Sequence, residues 1–153
     1  MALGIGAGMR VIDLCCGDGL FTLPMARIAS DVVAIDLDHE MIERTRAKIE
    51  GAGLSNCHLI EGDAYDVAEL ARERADAVFM ANTFHGVPDK VRLNRAVGAA
   101  LKRDRVCIVV KRRRQVSYGC SAFPTPITPS KVAVRAPSDH PDSKLLSPIR
   151  TLH

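Results

Sequence analysis

No apolar run in the chain approaches the roughly 18 to 20 residues that a membrane-spanning helix needs, so no membrane partner is expected. The opening stretch from Met1 to Gly8 is apolar, but it has neither a basic n-region nor a small-residue cleavage site, so it does not read as a secretory leader. A cytoplasmic location is expected. The five cysteines (Cys15, Cys16, Cys57, Cys107 and Cys120) form an odd set with no C-x-x-C pair and no histidine at zinc-ligand spacing. Neither a disulfide framework nor a metal site is implied; the cysteines read as reduced thiols, mostly in the core. Aromatic side chains are scarce around the basic run Lys111-Arg112-Arg113-Arg114, with only Tyr118 and Phe123 nearby. Without a stacking platform the run reads as a solvated charge cluster, and nucleic acid is not expected as a partner.

What is present is the composition of one soluble globular domain: 153 residues, 47% apolar and 25% charged. The net charge of +3 conceals a division. Residues 1–110 hold 13 Lys/Arg against 16 Asp/Glu, whereas residues 111–153 hold 8 against 2 together with six of the eight prolines. The first part is expected to be the folded domain. The second reads as a basic, Pro/Ser-rich irregular tail.

From Met9 to Val110, short β-branched runs alternate with longer helical stretches, the pattern of a parallel sheet covered by crossover helices. Strands are expected at 10–14, 31–35, 57–60, 77–80 and 105–110, and helices at 21–29, 38–51, 64–74 and 88–102. The second helix sets Met41, Ile42, Thr45 and Ile49 on one face and Glu40, Glu43, Arg44, Lys48 and Glu50 on the other. Asp38 stands where an N-cap belongs, Gly51 is a plausible stop, and Pro88 suits the first turn of the fourth helix. In an open sheet of this kind the ligand crevice lies at the carboxyl ends of the strands.

The first strand runs into Asp13-Leu14-Cys15-Cys16-Gly17-Asp18-Gly19, where Gly17 and Gly19 would let the backbone approach a ligand closely. A pyrophosphate fits this turn badly. Thr22 stands at the third position of the G-x-G-x-x-G pattern, and Asp13 and Asp18 flank the turn. Each carboxylate about 5 Å from a phosphate charge would repel it by roughly 3 kcal/mol at an effective dielectric near 20. The second strand ends at Asp36, 19 residues after Gly17, where a carboxylate can accept hydrogen bonds from both hydroxyls of a ribose. The third strand ends in Glu61-Gly62-Asp63-Ala64 and the fourth in Ala81-Asn82-Thr83-Phe84-His85-Gly86.

In this order and spacing the four segments resemble the motifs of class I S-adenosylmethionine-dependent methyltransferases. Val11-Ile12-Asp13-Leu14-Cys15-Cys16-Gly17-Asp18-Gly19 is similar to their first motif, with Cys15 in place of its first glycine. Val33-Ala34-Ile35-Asp36-Leu37-Asp38 with Met41 resembles the second, whose acidic residue holds the ribose. Glu61-Gly62-Asp63-Ala64 resembles the third, whose Asp lies near the adenine amino group, and the segment from Ala81 to His85 resembles the stretch beside the methionine part and the transferring methyl.

The resemblance implies an α/β, Rossmann-like doubly wound parallel sheet of order 3-2-1-4-5, truncated because the helix and two strands that normally follow the fifth strand are not recognisable after Val110. It implies S-adenosyl-L-methionine as cofactor, held by Asp13, Cys15, Gly17, Gly19, Asp36, Leu37, Met41, Asp63, Ala64 and Asn82. It further implies a small-molecule methyl acceptor. In-line methyl transfer needs little beyond alignment and exclusion of water, so His85 is the one candidate general base. Two alternatives stand beside this reading: a domain that binds the cofactor without turnover, and a nicotinamide-dependent enzyme. An uncovered fifth strand would also leave an edge open to self-association.

Overall fold

The computed structural model describes residues 4–111 and 130–135. Five parallel strands, β1 (Arg10–Leu14), β2 (Asp31–Asp36), β3 (Cys57–Glu61), β4 (Ala75–Ala81) and β5 (Leu101–Lys111), lie in the order β3-β2-β1-β4-β5 expected from the sequence. Successive side chains of a strand point to opposite faces, so the apolar runs feed two cores. On one face Ile12, Leu14, Val33, Ile35, Val78 and Met80 pack with Val67, Leu93 and Val97. On the other, Val11, Val32, Ala77 and Phe79 pack with Met25, Ala26 and Ile49. The helices α1 (Thr22–Ala26), α2 (His39–Gly51), α3 (Val67–Leu70) and α4 (Lys90–Ala100) supply these partners. Each fully buried Val, Leu or Ile contributes roughly 1.5 to 3 kcal/mol.

Local chemistry sets the element ends. Asp38 caps α2 by accepting the Glu40 N–H at 2.8 Å. Gly51 is still helical; the stop comes at Gly53, with φ +66°, whose N–H bonds Glu50 while Leu54 N–H reaches Ile49. Asp89 caps α4 by accepting the Arg92 N–H at 2.9 Å, which puts Pro88 one residue before the cap and not in the first helical turn. The expected helix 64–74 is a 3₁₀ turn (Ala64–Asp66) followed by the single turn of α3. The fourth helix stops at Ala100 because Leu101 pairs with Ala75 and Lys102 Nζ bonds Asp76 at 3.0 Å, which draws these residues into β5.

The largest correction lies beyond Val110. Residues Ser130–Arg135 form β6, antiparallel to β5 from Val106↔Arg135 to Lys111↔Ser130. Val132 and Val134 are β-branched residues that suit a strand. The outer edge of β5 is therefore occupied, and self-association through it loses its basis. The expectation of irregular chain over 112–129 and 136–153 lies outside the described residues.

Candidate functional site

At the carboxyl ends of the strands a cleft of about 480 Å³ opens, within the range of small-ligand pockets. Its walls bring together Asp13, Cys15, Gly17, Asp36, Leu37, Asp63, Ala64 and Asn82. Two expected residues lie elsewhere: Gly19 packs beneath the turn against Thr45, and the half-buried Met41 is on α2 outside the lining. Cys16, Asp18, Leu20, Phe21 and Thr83 also line the cleft. Asp18 was legible as a carboxylate flanking the turn; Cys16, Leu20, Phe21 and Thr83 lie in or beside the motifs with no chemistry to single them out.

Asp36 is the hub of the turn. Its Oδ2 accepts the Gly17 N–H at 2.8 Å and its Oδ1 accepts the Asp38 N–H at 3.0 Å, so one carboxylate ties the end of β2 to the glycine turn after β1. Each oxygen keeps a further lone pair for a ligand hydroxyl. From below, the buried Thr45 donates its hydroxyl to the Gly17 carbonyl at 2.9 Å, and Lys48 Nζ bonds Asp18 at 2.7 Å. Gly17 is thus held at both its N–H and its C=O. A polar residue on the buried stripe of α2 was the sequence signal for Thr45, and sequence reasoning gave it no role in the site.

Asp13 is 2% exposed and accepts the Thr22 hydroxyl at 2.6 Å. Burial raises its pKa to about 7, against a lowering by the Thr22 bond and with a further rise from the charge on Asp36. An acid whose folded pKa lies above its unfolded value stabilises the fold at low pH and loses that contribution as pH rises through the folded pKa. Stability should therefore fall by on the order of 4 kcal/mol between pH 4 and pH 7 from this group. Asp13→Asn should flatten that part of the profile in urea melts; an unchanged profile would place the carboxyl in a more polar setting.

Cys15 adopts φ +58° and Asn82 φ +61°, a left-handed conformation rare for residues other than glycine, and both line the cleft. Cys15 thus takes the left-handed conformation that glycine adopts readily. Cys15→Gly should relieve strain of about 1 kcal/mol, read as a higher urea midpoint; a lower midpoint would show that side-chain packing outweighs the strain. Burial, together with the charges of Asp36 and Asp13, pushes the Cys15 thiol up to about 11, and burial raises Cys16 as well. Both are protonated at neutral pH and inert as nucleophiles. The four described cysteines are unpaired, and no metal-binding cluster occurs among the described residues.

A second cleft, of about 470 Å³, adjoins the first and shares Leu37, Asp63, Ala64, Asn82 and Thr83 with it. Its remaining walls are Tyr65 and the segment from His85 to Pro88, so His85 faces the second cleft and not the first. Asp63 caps the turn at its base through the Tyr65 N–H at 2.9 Å.

The family model of a methyltransferase domain matches residues 11–104. The chain belongs to this family, in agreement with the resemblance carried by its motifs. It is 42% identical over 82 residues to the 23S rRNA (uracil(1939)-C(5))-methyltransferase RlmD of Xylella fastidiosa, covering 54% of this chain and 17% of that protein. It is 35% identical over 99 residues to the ubiquinone biosynthesis O-methyltransferase of Xanthomonas axonopodis pv. citri, covering 63% and 40%. A SAM-dependent methyltransferase from Aquifex aeolicus shares the fold with a TM-score of 0.66 at 20% identity, covering 77% of this chain and 64% of that one. The chain spans less than half the length of these two curated relatives. No helix among the described residues is long and apolar enough to cross a membrane.

Proposed function

We propose that the chain binds S-adenosyl-L-methionine in the first cleft and directs methyl transfer to a small molecule in the second. The observation that carries this is the charge of the first cleft. Asp13, Asp18, Asp36 and Asp63 line it, with Lys48 bonded to Asp18 from outside the lining and Asp13 ionising only near pH 7, and no lysine or arginine lines it among the described residues. A dinucleotide would bring two phosphates against these carboxylates, whereas a nucleoside with a sulfonium and an ammonium is attracted to them.

The residues present fit that cofactor. Asp36 has lone pairs for both ribose hydroxyls, and Gly17 leaves open space where a Cβ would stand. Leu37, 70% exposed at the mouth, offers an apolar surface to the adenine, and Asp63 an acceptor for its amino group. Asp13 and Asn82 line the same cleft and are the groups we assign to the methionine part. When bound, S-adenosyl-L-methionine supplies an electrophilic methyl on a positive sulfur. The protein's part is to align the acceptor with it, exclude water and receive a proton. His85, at the edge of the second cleft, is the group for that proton.

Because a nearby cation favours the ionised form of Asp13, S-adenosylmethionine should gain affinity over neutral-sulfur S-adenosylhomocysteine as pH rises through about 7. Parallel calorimetric titrations at several pH values test this, and a ratio independent of pH would detach Asp13 from the cofactor's charge. The unpaired thiols suit the reducing cytoplasm. The relative acting in ubiquinone biosynthesis supports a small acceptor. Methyl incorporation from labelled cofactor into a small-molecule extract fraction, rather than into its RNA, tests the acceptor class.

A further inference from the structure

We propose that the second cleft receives an uncharged aromatic acceptor bearing an acidic hydroxyl, a phenol or enol, whose proton passes to His85. This rests on the methyl-transfer reading above and adds the chemistry of the acceptor. The apolar part of the lining comes from Leu37, Val87, Pro88 and the ring of Tyr65, a surface suited to the flat face of a ring. Among the described residues no lysine or arginine lines the cleft. The two cations that follow Pro88 lie against residues of the cleft wall and are engaged there. Lys90 Nζ donates to the Val87 carbonyl at 2.9 Å, and the Arg92 guanidinium lies 4.4 Å from the Tyr65 ring centroid and 3.9 Å from Asp66.

A carboxylate or phosphate acceptor would have to draw Lys90 or Arg92 away from these partners and would meet Asp63. An ammonium would be attracted, but the same carboxylate holds it in the protonated form, which has no lone pair to attack a methyl group. A neutral hydroxyl escapes both penalties. It enters uncharged, and the oxyanion that forms as it attacks is stabilised by the positive sulfur it faces. Tyr65 can orient such an acceptor: its oxygen accepts the Asp89 N–H at 3.0 Å, which leaves its own proton to donate.

The step balances without a further reactant. The hydroxyl proton moves to an imidazole nitrogen of His85, and an oxygen lone pair forms the new O–CH₃ bond. The C–S bonding pair returns to sulfur, which leaves as a neutral thioether, and the imidazolium gives its proton to water.

The test uses the full chain in two stages. Calorimetry with S-adenosylhomocysteine comes first; absence of binding there would sink the cofactor reading itself and is seen before any acceptor is added. The saturated protein is then titrated with catechol, benzoate and benzylamine, and turnover with S-adenosylmethionine is followed for wild type and His85→Gln. Catechol should bind at least tenfold more tightly than benzoate or benzylamine and be O-methylated. His85→Gln should lower kcat about 100-fold, with KM for catechol within about twofold, and the loss should shrink for a more acidic phenol. Tighter binding of benzoate, no binding of catechol, or preferential methylation of a single-stranded RNA oligonucleotide would overturn the acceptor class. An unchanged kcat in His85→Gln would overturn the proton's destination.

Discussion

Replacing Asp36 with alanine should weaken S-adenosylhomocysteine binding by about 1.5 to 3 kcal/mol, the range for hydrogen bonds to a charged group, or roughly 10- to 150-fold in Kd. The loss has two sources. The ribose hydroxyls lose their acceptor, and the Gly17 N–H, which Asp36 holds at 2.8 Å, is released, so the turn loses its fixed geometry. Asp38→Ala is the control. Asp38 accepts the Glu40 N–H as the cap of α2, so its removal should lower stability by about 1 kcal/mol and affect affinity much less. Equal losses of affinity at the two positions in calorimetric titrations would remove Asp36 from the ribose.

The two glycines of the first turn should fail in different ways. At Gly17 an added Cβ meets nothing within 4 Å, and the residue lines the cleft, so Gly17→Val should fill ligand space. Binding should fall by at least 100-fold, while the fold survives with about 1 to 2 kcal/mol of strain from φ +57°. At Gly19 the new Cβ would lie 2.8 Å from both Cγ2 and Oγ1 of the buried Thr45, at φ +78°. Overpacking and backbone strain add there, so Gly19→Val should destabilise by on the order of 3 to 5 kcal/mol in urea melts. Thr45→Ala in the Gly19→Val background should recover part of that loss. A well-folded Gly19→Val that binds no ligand, beside an unfolded Gly17→Val, would reverse these assignments.

This division between the glycines marks where sequence reasoning ended. Both were legible as turn residues, yet which one faces ligand and which faces Thr45 depends on α2, whose contact with the turn spans 28 residues. Helical periodicity turned Thr45 inward without revealing that its hydroxyl would reach the Gly17 carbonyl. Strand β1 was read to the residue because Arg10–Leu14 is a short β-branched run ended by a small-residue turn. Strand β5 was read four residues short at its start and one at its end, since Leu101 and Lys102 continue the helical pattern and only the pairing of Leu101 with Ala75 and the bond from Lys102 to Asp76 draw them into the strand. Strand β6 was missed because six prolines dominate residues 111–153, and a six-residue run between two of them was averaged into an irregular segment. Cys15 was recognised as standing in for glycine. That it would itself take the left-handed conformation, at φ +58°, was not legible in the residue type.

The most direct measurement is a calorimetric titration of the purified chain with S-adenosylhomocysteine, S-adenosylmethionine and NAD⁺ in parallel. With four carboxylates and no described cation lining the first cleft, the two sulfur nucleosides should each bind with one-to-one stoichiometry and NAD⁺ should give no binding heat. Binding of NAD⁺ with neither sulfur nucleoside bound would contradict the cofactor assignment and the function built on it.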